Sequence, residues 1–201
     1  MTSRLSVEIL GSKFTNPFLL ASTPATRSLK WPRIAKAGWA GGVTWAGDCY
    51  EERILQCRFY SPDNNIERGA AEPAWTCQSL NARHPLYSSG RRGMSAELLG
   101  QRIREAKKSG LPVGANLLYP ADIDPWMEAA KVSEAAGADF VELNLSCPVK
   151  PWGIYICQDL TATADIVGSV RRATRLPIVA KLHAWHLSED LKTLAATVVE
   201  A

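Results

Sequence analysis

The sequence predicts an α/β fold built on a parallel sheet. Three observations carry that prediction. Short apolar runs recur along the chain and are separated by segments of helical length. Those runs are apolar at nearly every position, as in Phe140 to Leu145 (FVELNL) and Ile178 to Leu182 (IVAKL), which is the pattern of strands covered on both faces. The intervening helices are about 10 to 15 residues long, the length of βαβ crossovers.

Taken in order, the chain opens with Val7 to Gly11 and Lys13-Phe14, which read as a small hairpin capping one end of the sheet. Phe18 to Ser22 is the first buried strand. A helix follows over Ser28 to Ala37, with Gly38 as the left-handed residue that ends it. Gly42 to Ala46 is the next strand. A long irregular stretch then runs from Gly47 to Gly93, rich in Pro, Asn and Asp. Loops of that length inside a compact domain are usually functional or mobile.

Ser95 is placed to cap a helix over Ala96 to Ser109, closed by Gly110. Pro112 to Leu117 is a third strand. Asp124 and Pro125 read as cap and first residue of a helix that Gly137 ends. Phe140 to Leu145 is the fourth strand, Thr161 to Thr174 a helix and Ile178 to Leu182 the fifth strand. Ser188 then caps a last helix running to Ala201. Periodicity leaves both a doubly wound sheet and a closed barrel open. A complete eight-fold barrel takes ~250 residues, so a barrel reading makes these 201 residues a single domain holding five βα units.

Composition narrows the function classes. An apolar fraction of 46% suits one globular domain. The net charge of +3 is too small to argue for nucleic acid or an anionic membrane surface. The basic cluster Arg102, Arg104, Lys107 and Lys108 reads as a solvated helix face. No run approaches ~18 apolar residues, so no transmembrane helix is expected. The opening MTSRLSVEILG lacks the apolar run of a signal peptide. The five cysteines are odd in number and show no CxxC spacing. That argues against disulfides, iron–sulfur clusters or structural zinc within the chain, and for reduced thiols in the cytoplasm. His84, His183 and His186 have no metal-ligand spacing. Glycine motifs for dinucleotides or for a P-loop are absent. Trp31, Trp39, Trp126 and Trp152 read as packing residues.

In any parallel α/β architecture, ligands bind at the carboxyl ends of strands. The polar residues predicted there are Ser22, Thr23, Thr44, Asn116, Asn144, Ser146, Cys147, Lys181 and His183, with Trp45 among them. The Asn144 amide offers a donor and an acceptor together, which suits a cyclic imide or ureide; it could equally serve only loop backbone. Cys147 stands before Pro148, at the head of a loop running to Ile156. Its thiol can act as general acid or base or as a nucleophile. No histidine lies near it in sequence, which favours acid–base work over a Cys–His pair. A lone buried, inert cysteine is the competing reading. Lys181 interrupts an apolar strand, so it either pairs with an acid or faces an anionic or electron-rich ligand. A Schiff-base role is open to such a lysine. So is stabilisation of an anionic reduced flavin.

At GADFVELNLSCP, residues 137–148, the sequence resembles the dihydroorotate dehydrogenases and the FMN domain of dihydropyrimidine dehydrogenase. Further motifs agree in order and spacing. They are LGSKFTNPFLLASTPAT near the start, KAGWAGGVT, SLNARHPLYSSG, GIYICQD and LPIVAKL. The resemblance implies an FMN-binding (β/α)8 TIM barrel with about five of its eight βα units present. It implies hydride transfer between flavin N5 and a dihydropyrimidine or dihydroorotate-like ring, a CH–CH oxidoreduction. Carried over by position, Cys147 is the general acid/base, and Asn81, Asn144 and Ser146 bind substrate. Ser22 and Lys181 contact the flavin, and the loop after Cys147 is a mobile flap. NAD(P)H would enter through a partner, and the expected partners are a second copy of the chain or an iron–sulfur/flavin electron-transfer subunit.

Three departures from the family pattern stand out. Trp45 occupies the position of a second-strand lysine. Leu182-His183-Ala184-Trp185 replaces the dihydropyrimidine branch's Leu-Thr-Pro-Asn. The units that carry the family's phosphate site are not in this sequence. These departures leave open a flavin barrel for a different unsaturated cyclic substrate, or a non-catalytic fragment or accessory subunit, and Lys181 alone leaves open a lysine-dependent aldolase.

Overall fold

The computed structural model describes residues 5–23, 26, 30–44, 96–119, 123–146, 156–182 and 191–201. Within them the strands are β1 (Val7–Ile9), β2 (Ser12–Phe14), β3 (Leu19–Leu20), β4 (Gly41–Val43), β5 (Val113–Leu117), β6 (Phe140–Asn144) and β7 (Ile178–Lys181). The helices are α1 (Trp31–Lys36), α2 (Ala96–Lys107), α3 (Ile123–Ala135), α4 (Leu160–Ala173) and α5 (Leu191–Glu200), with a 3-10 turn at Ile156–Gln158.

β3 to β7 form one five-stranded parallel sheet in the order β3-β4-β5-β6-β7. Each strand therefore lies beside the strand before it in sequence. A doubly wound sheet reverses its strand order at a switch point, and among the described strands no reversal occurs. Singly wound, sequential order is the winding of a barrel wall, and the five described parallel strands are consistent with part of one.

The two faces of this sheet differ in kind. Ala115 and Leu117 of β5, Val141 and Leu143 of β6, and Ile178 and Ala180 of β7 pack into one cluster with Leu99 and Ile103 of α2, Trp126 and Ala130 of α3, and Ile166 and Val170 of α4. That is the helix-covered face. The alternate residues point the other way. Near the amino ends of the strands this inner face is apolar: Phe14, Ala40, Val43 and Phe140 cluster there, with Leu10, Leu19 and Val179 against them.

The β1–β2 hairpin supplies Phe14 and so plugs the amino end, as the sequence predicts. Ile9 pairs with Ser12 across the two-residue loop Leu10-Gly11. Both loop residues have positive φ, 55° and 68°, which is what a tight hairpin turn requires. Leu10 is an unusual residue there. Its side chain packs on the inner cluster, which offsets the backbone strain. The turn at Asn16-Pro17-Phe18 is braced in turn, because Asn16 Nδ2 donates to Gly38 O at 3.0 Å and Phe18 N donates to Asn16 Oδ1 at 3.0 Å.

Gly114 lies on the inner face, opposite Phe140 in the register. A Cβ at this position would meet the Phe140 ring at 2.3 Å. We therefore expect Gly114→Ala to displace that ring and to cost about 1–3 kcal/mol, the usual range for overpacking. A urea titration of both proteins measures it; an unchanged midpoint would show that the ring has room to move.

The element boundaries differ from the sequence reading in instructive ways. α1 is described from Trp31, with proline in its first turn, and Ser28, the expected start, lies outside the described residues. α3 begins at Ile123, so Asp124 lies inside its first turn and does not cap it. α4 begins at Leu160, and its cap is Asp159, whose side chain accepts from Ala162 N at 2.9 Å. Thr174, expected to be helical, is extended with φ −143°. Gly38, Gly110 and Gly137 follow their helices with φ of 86°, 76° and 86°, as expected. The caps assigned to Ser95 and Ser188 lie outside the described residues.

The basic cluster of α2 is only partly the solvated face the sequence suggests, with Arg104 and Lys108 exposed. Arg102 is buried. Lys107 reaches across to Asp139 at 2.7 Å, and the same carboxylate accepts from Val113 N at 2.7 Å, tying α2 to the starts of β5 and β6. Lys108 pairs with Glu105 at 2.7 Å. Trp31 and Trp126 are fully buried packing residues, as read. Among the described residues, no helix is long and apolar enough to cross a membrane.

Candidate functional site at the carboxyl ends of the strands

Along the inner face, the apolar layer gives way to a polar one at the carboxyl ends. β6 shows the change within a single strand. Phe140, Glu142 and Asn144 share the inner face, apolar at the amino end and polar beyond it. The register sets Asn116 of β5 opposite Glu142, Glu142 opposite Val179 of β7, and Asn144 opposite Lys181. Asn116, Glu142, Asn144 and Lys181 thus form a contiguous polar layer on three adjacent strands.

Each member is held by specific contacts. Asn116 is 2% exposed. Its backbone N donates to Thr44 Oγ1 at 3.2 Å, and its Nδ2 donates to Glu142 Oε1 at 2.5 Å. Its Oδ1 is buried without a hydrogen-bond partner, the only such side-chain atom among the described residues. Buried polar atoms are nearly always paired, so an acceptor without a partner among the described residues stands out on this face. Glu142 is buried. Burial pushes its carboxyl above the usual carboxylate range, while the Lys181 ammonium and the Asn116 hydrogen bond pull it the other way.

Asn144 is also buried, and its Oδ1 accepts from Ser146 Oγ at 2.8 Å. The serine thereby fixes the amide's orientation and occupies its acceptor, leaving Nδ2 as the donor that can address a ligand carbonyl. Lys181 is half-buried at the end of β7. Its backbone carbonyl accepts from Leu145 N at 3.1 Å, and Leu145 O accepts from Cys157 N at 3.2 Å, which pins the point where the chain leaves β6.

Of the residues chosen from the sequence, the structure brings Asn144, Ser146 and Lys181 together. Ser22 is half-buried just beyond β3, at the same end of the sheet but three strands from β6. Cys147, Asn81, Trp45 and His183 lie outside the described residues. Cys157 is a buried free thiol. No metal-binding group of His, Cys, Asp and Glu occurs among the described residues. The sequence reading passed over Glu142. Its signal was the one that exposed Lys181, a charged residue inside an apolar strand, and alternation from Asn144 puts it on the same face.

The raised titration of Glu142 has a consequence for stability. Between the ordinary carboxyl value of about 4.3 and its own higher value, the folded chain holds a proton that the unfolded chain has released. Stability from this group is therefore full below the ordinary value and is lost as pH rises through the folded one. Glu142→Gln cannot lose it. Its melting temperature relative to wild type should climb as pH is raised from about 4 through that window; a pH-independent difference would refute the assignment.

Sequential winding, helices on one face and a polar layer at the carboxyl ends define a chain of the (β/α)-barrel kind. A likeness to the crystal structure of a "putative phosphonomutase" from Burkholderia cenocepacia J2315 supports that class. The TM-score is 0.54 at 15% identity, covering 93% of this chain and 66% of that one, and it bears on the fold alone. No family model matches the chain. Its sequence relatives are more particular. It is 29% identical over 202 residues to the catalytic subunit of dihydroorotate dehydrogenase B (NAD(+)) of Endomicrobium trichonymphae, covering 100% of this chain and 60% of that protein. It is 27% identical over 188 residues to the NAD-dependent dihydropyrimidine dehydrogenase subunit PreA of Escherichia coli, covering 90% and 42%. It is 36% identical over 83 residues to the dihydroorotate dehydrogenase B (NAD(+)) catalytic subunit of Thermoplasma acidophilum, covering 41% and 27%. The chain is thus similar in sequence to dihydroorotate and dihydropyrimidine dehydrogenases. It spans 60% or less of the length of each of these relatives.

Proposed function

We propose that this chain forms the substrate and acid–base side of an FMN-dependent oxidoreductase acting on the CH–CH bond of a dihydropyrimidine or dihydroorotate-like ring, and that its five βα units belong to an eight-unit barrel. The observation that carries the reading is the polar layer on the inner face. Asn144, Ser146 and Lys181 converge at one strand end beside the unpartnered Asn116 acceptor. A planar heterocycle with ring N–H and C=O groups fits this set: an N–H can satisfy the Asn116 carbonyl, and a C=O can accept from Asn144 Nδ2.

The residues that would hold FMN are Lys181, beside the electron-rich edge of the ring, and Ser22, at the end of β3. FMN, when bound, supplies the hydride acceptor or donor. The chain's own residues do the rest. Asn144, oriented by Ser146, and Asn81 hold the substrate ring in plane. Cys147 takes or returns the proton at the carbon next to the hydride position, and the loop after it covers the site. A partner subunit would connect the site to NAD(P)H.

The test is direct. FMN is added to the chain, unbound flavin is removed by desalting, and the visible spectrum is recorded before and after anaerobic addition of dihydroorotate or dihydrouracil. Retained flavin that bleaches supports the reading. A chain that retains no FMN, or retains it and bleaches with neither compound, overturns it.

A further inference from the structure

Glu142 has no part in the reaction proposed above, yet it sits in the middle of the polar layer. A buried carboxylate without a counter-charge is costly, so its surroundings matter. From β5 it meets the neutral Asn116 amide, from β7 the apolar Val179 stands opposite it, and the Lys181 ammonium acts on it through space. Lys181 is two residues beyond Val179 on the same face, a diagonal neighbour at about 7–8 Å between side-chain bases, within reach of long side chains. Among the described residues, Lys181 is the charge that favours the ionised form of Glu142, and burial outweighs it. Lys181 is also half-buried at the strand end, where a ligand arrives.

One cation cannot fully serve two anions. We propose that Glu142 is the exchangeable counter-ion of Lys181: when an anionic substrate ring binds beside the flavin and draws on the same ammonium, Glu142 takes up one proton from solvent. The carboxylate becomes a neutral carboxyl group, the anion replaces its charge, and the buried layer stays electrically balanced. Asn116 completes the exchange. Its Nδ2 donates to the ionised carboxylate at 2.5 Å while its Oδ1 has no partner. Once Glu142 carries a proton on one oxygen, its other oxygen still accepts from Asn116 Nδ2, and Oδ1 stays available to a ring N–H. Both protonation states thus have a matching hydrogen bond. Glu142 acts through Lys181 and Asn116, as a positioning residue, and the ligand half of the proposal rests on Lys181 facing the ring.

Two measurements on the full chain test this. The first needs no ligand. The 13C resonance of the Glu142 carboxyl is followed against pH in wild type and in Lys181→Met. Loss of the cation should move the Glu142 midpoint upward, and coincident titrations would overturn the pairing. The second loads the chain with FMN and titrates orotate by calorimetry in buffers of different ionisation enthalpy. Wild type should take up one proton as orotate binds. Its affinity should weaken by up to about tenfold per pH unit across the window in which Glu142 is ionised before binding and protonated after it.

Glu142→Gln keeps an acceptor for Asn116 Nδ2 but cannot change charge. It should bind orotate with no proton uptake and no such pH dependence. A purely structural role would leave the wild-type proton count at zero, and that result would overturn the proposal. Failure of wild type to bind either FMN or orotate would instead remove the functional reading. The Lys181→Met titration would still decide the counter-ion pairing. It decides as well if Glu142→Gln does not fold.

Discussion

Replacing Trp126 with alanine should cost about 3–5 kcal/mol of folding stability, the range for deleting a buried aromatic core residue. The side chain is fully buried on α3 and lies in the cluster that joins α2, α3 and α4 to the helix-covered face of the sheet. Its ring meets Tyr119, also buried, edge-on, with centroids 5.7 Å apart and planes inclined at 70°. An edge-to-face pair adds about 0.5–1.5 kcal/mol beyond area burial, and alanine loses both contributions. A whole domain is stable by only about 5–15 kcal/mol, so this one change should remove a large share of it. The Trp126→Ala protein should show a much lower urea midpoint with an unchanged slope. Trp126→Phe should lose far less, because a ring still faces Tyr119. Equal losses in the two variants would show that the ring contact contributes nothing.

The reading of Trp126 as a packing residue came from the sequence, and the same physics made most of the fold legible there. Strands β5 and β6 declare themselves because both faces are buried, and β7, half-buried throughout, shows the same apolar run. The amino-terminal hairpin was legible from its glycine and its short flanking runs. Strand order was not legible, because it depends on where each crossover helix lands rather than on any local pattern. The α4 cap was missed by placing the helix start one residue late, which passed over Asp159. Arg102 was misread because a basic run looks solvated in sequence, whereas one helical position of it faces inward. Candidate-site residues divided along the same lines. Lys181 attracted notice as a charge inside an apolar strand. Glu142 escaped because the family motif drew attention to Asn144 and Cys147 on either side of the following leucine and serine. Alternation along β6, read without the motif, places Glu142 and Asn144 together.

Cys147→Ala should lower turnover of the dihydropyrimidine-type substrate by about 10²- to 10⁴-fold, the usual contribution of a positioned acid–base group. Flavin retention should be unchanged. The thiol itself lies outside the described residues, but the chain on each side of it is fixed. Asn144 closes β6 in the polar layer, Leu145 N is bonded to Lys181 O at 3.1 Å, and Leu145 O receives Cys157 N at 3.2 Å. The chain therefore leaves the sheet at Ser146 on the side where Asn144 and Lys181 converge. Acid–base work makes a sharper demand than mere proximity. A thiol with an ordinary value of about 8.5 can release and recover a proton near neutral pH, whereas a serine hydroxyl is a far weaker acid. Cys147→Ser should therefore retain some activity that rises steeply as pH is raised, with little change in KM. Alanine should show no such recovery. Turnover of Cys147→Ala within about tenfold of wild type would place the essential proton on another group and would leave Cys147 a packing residue.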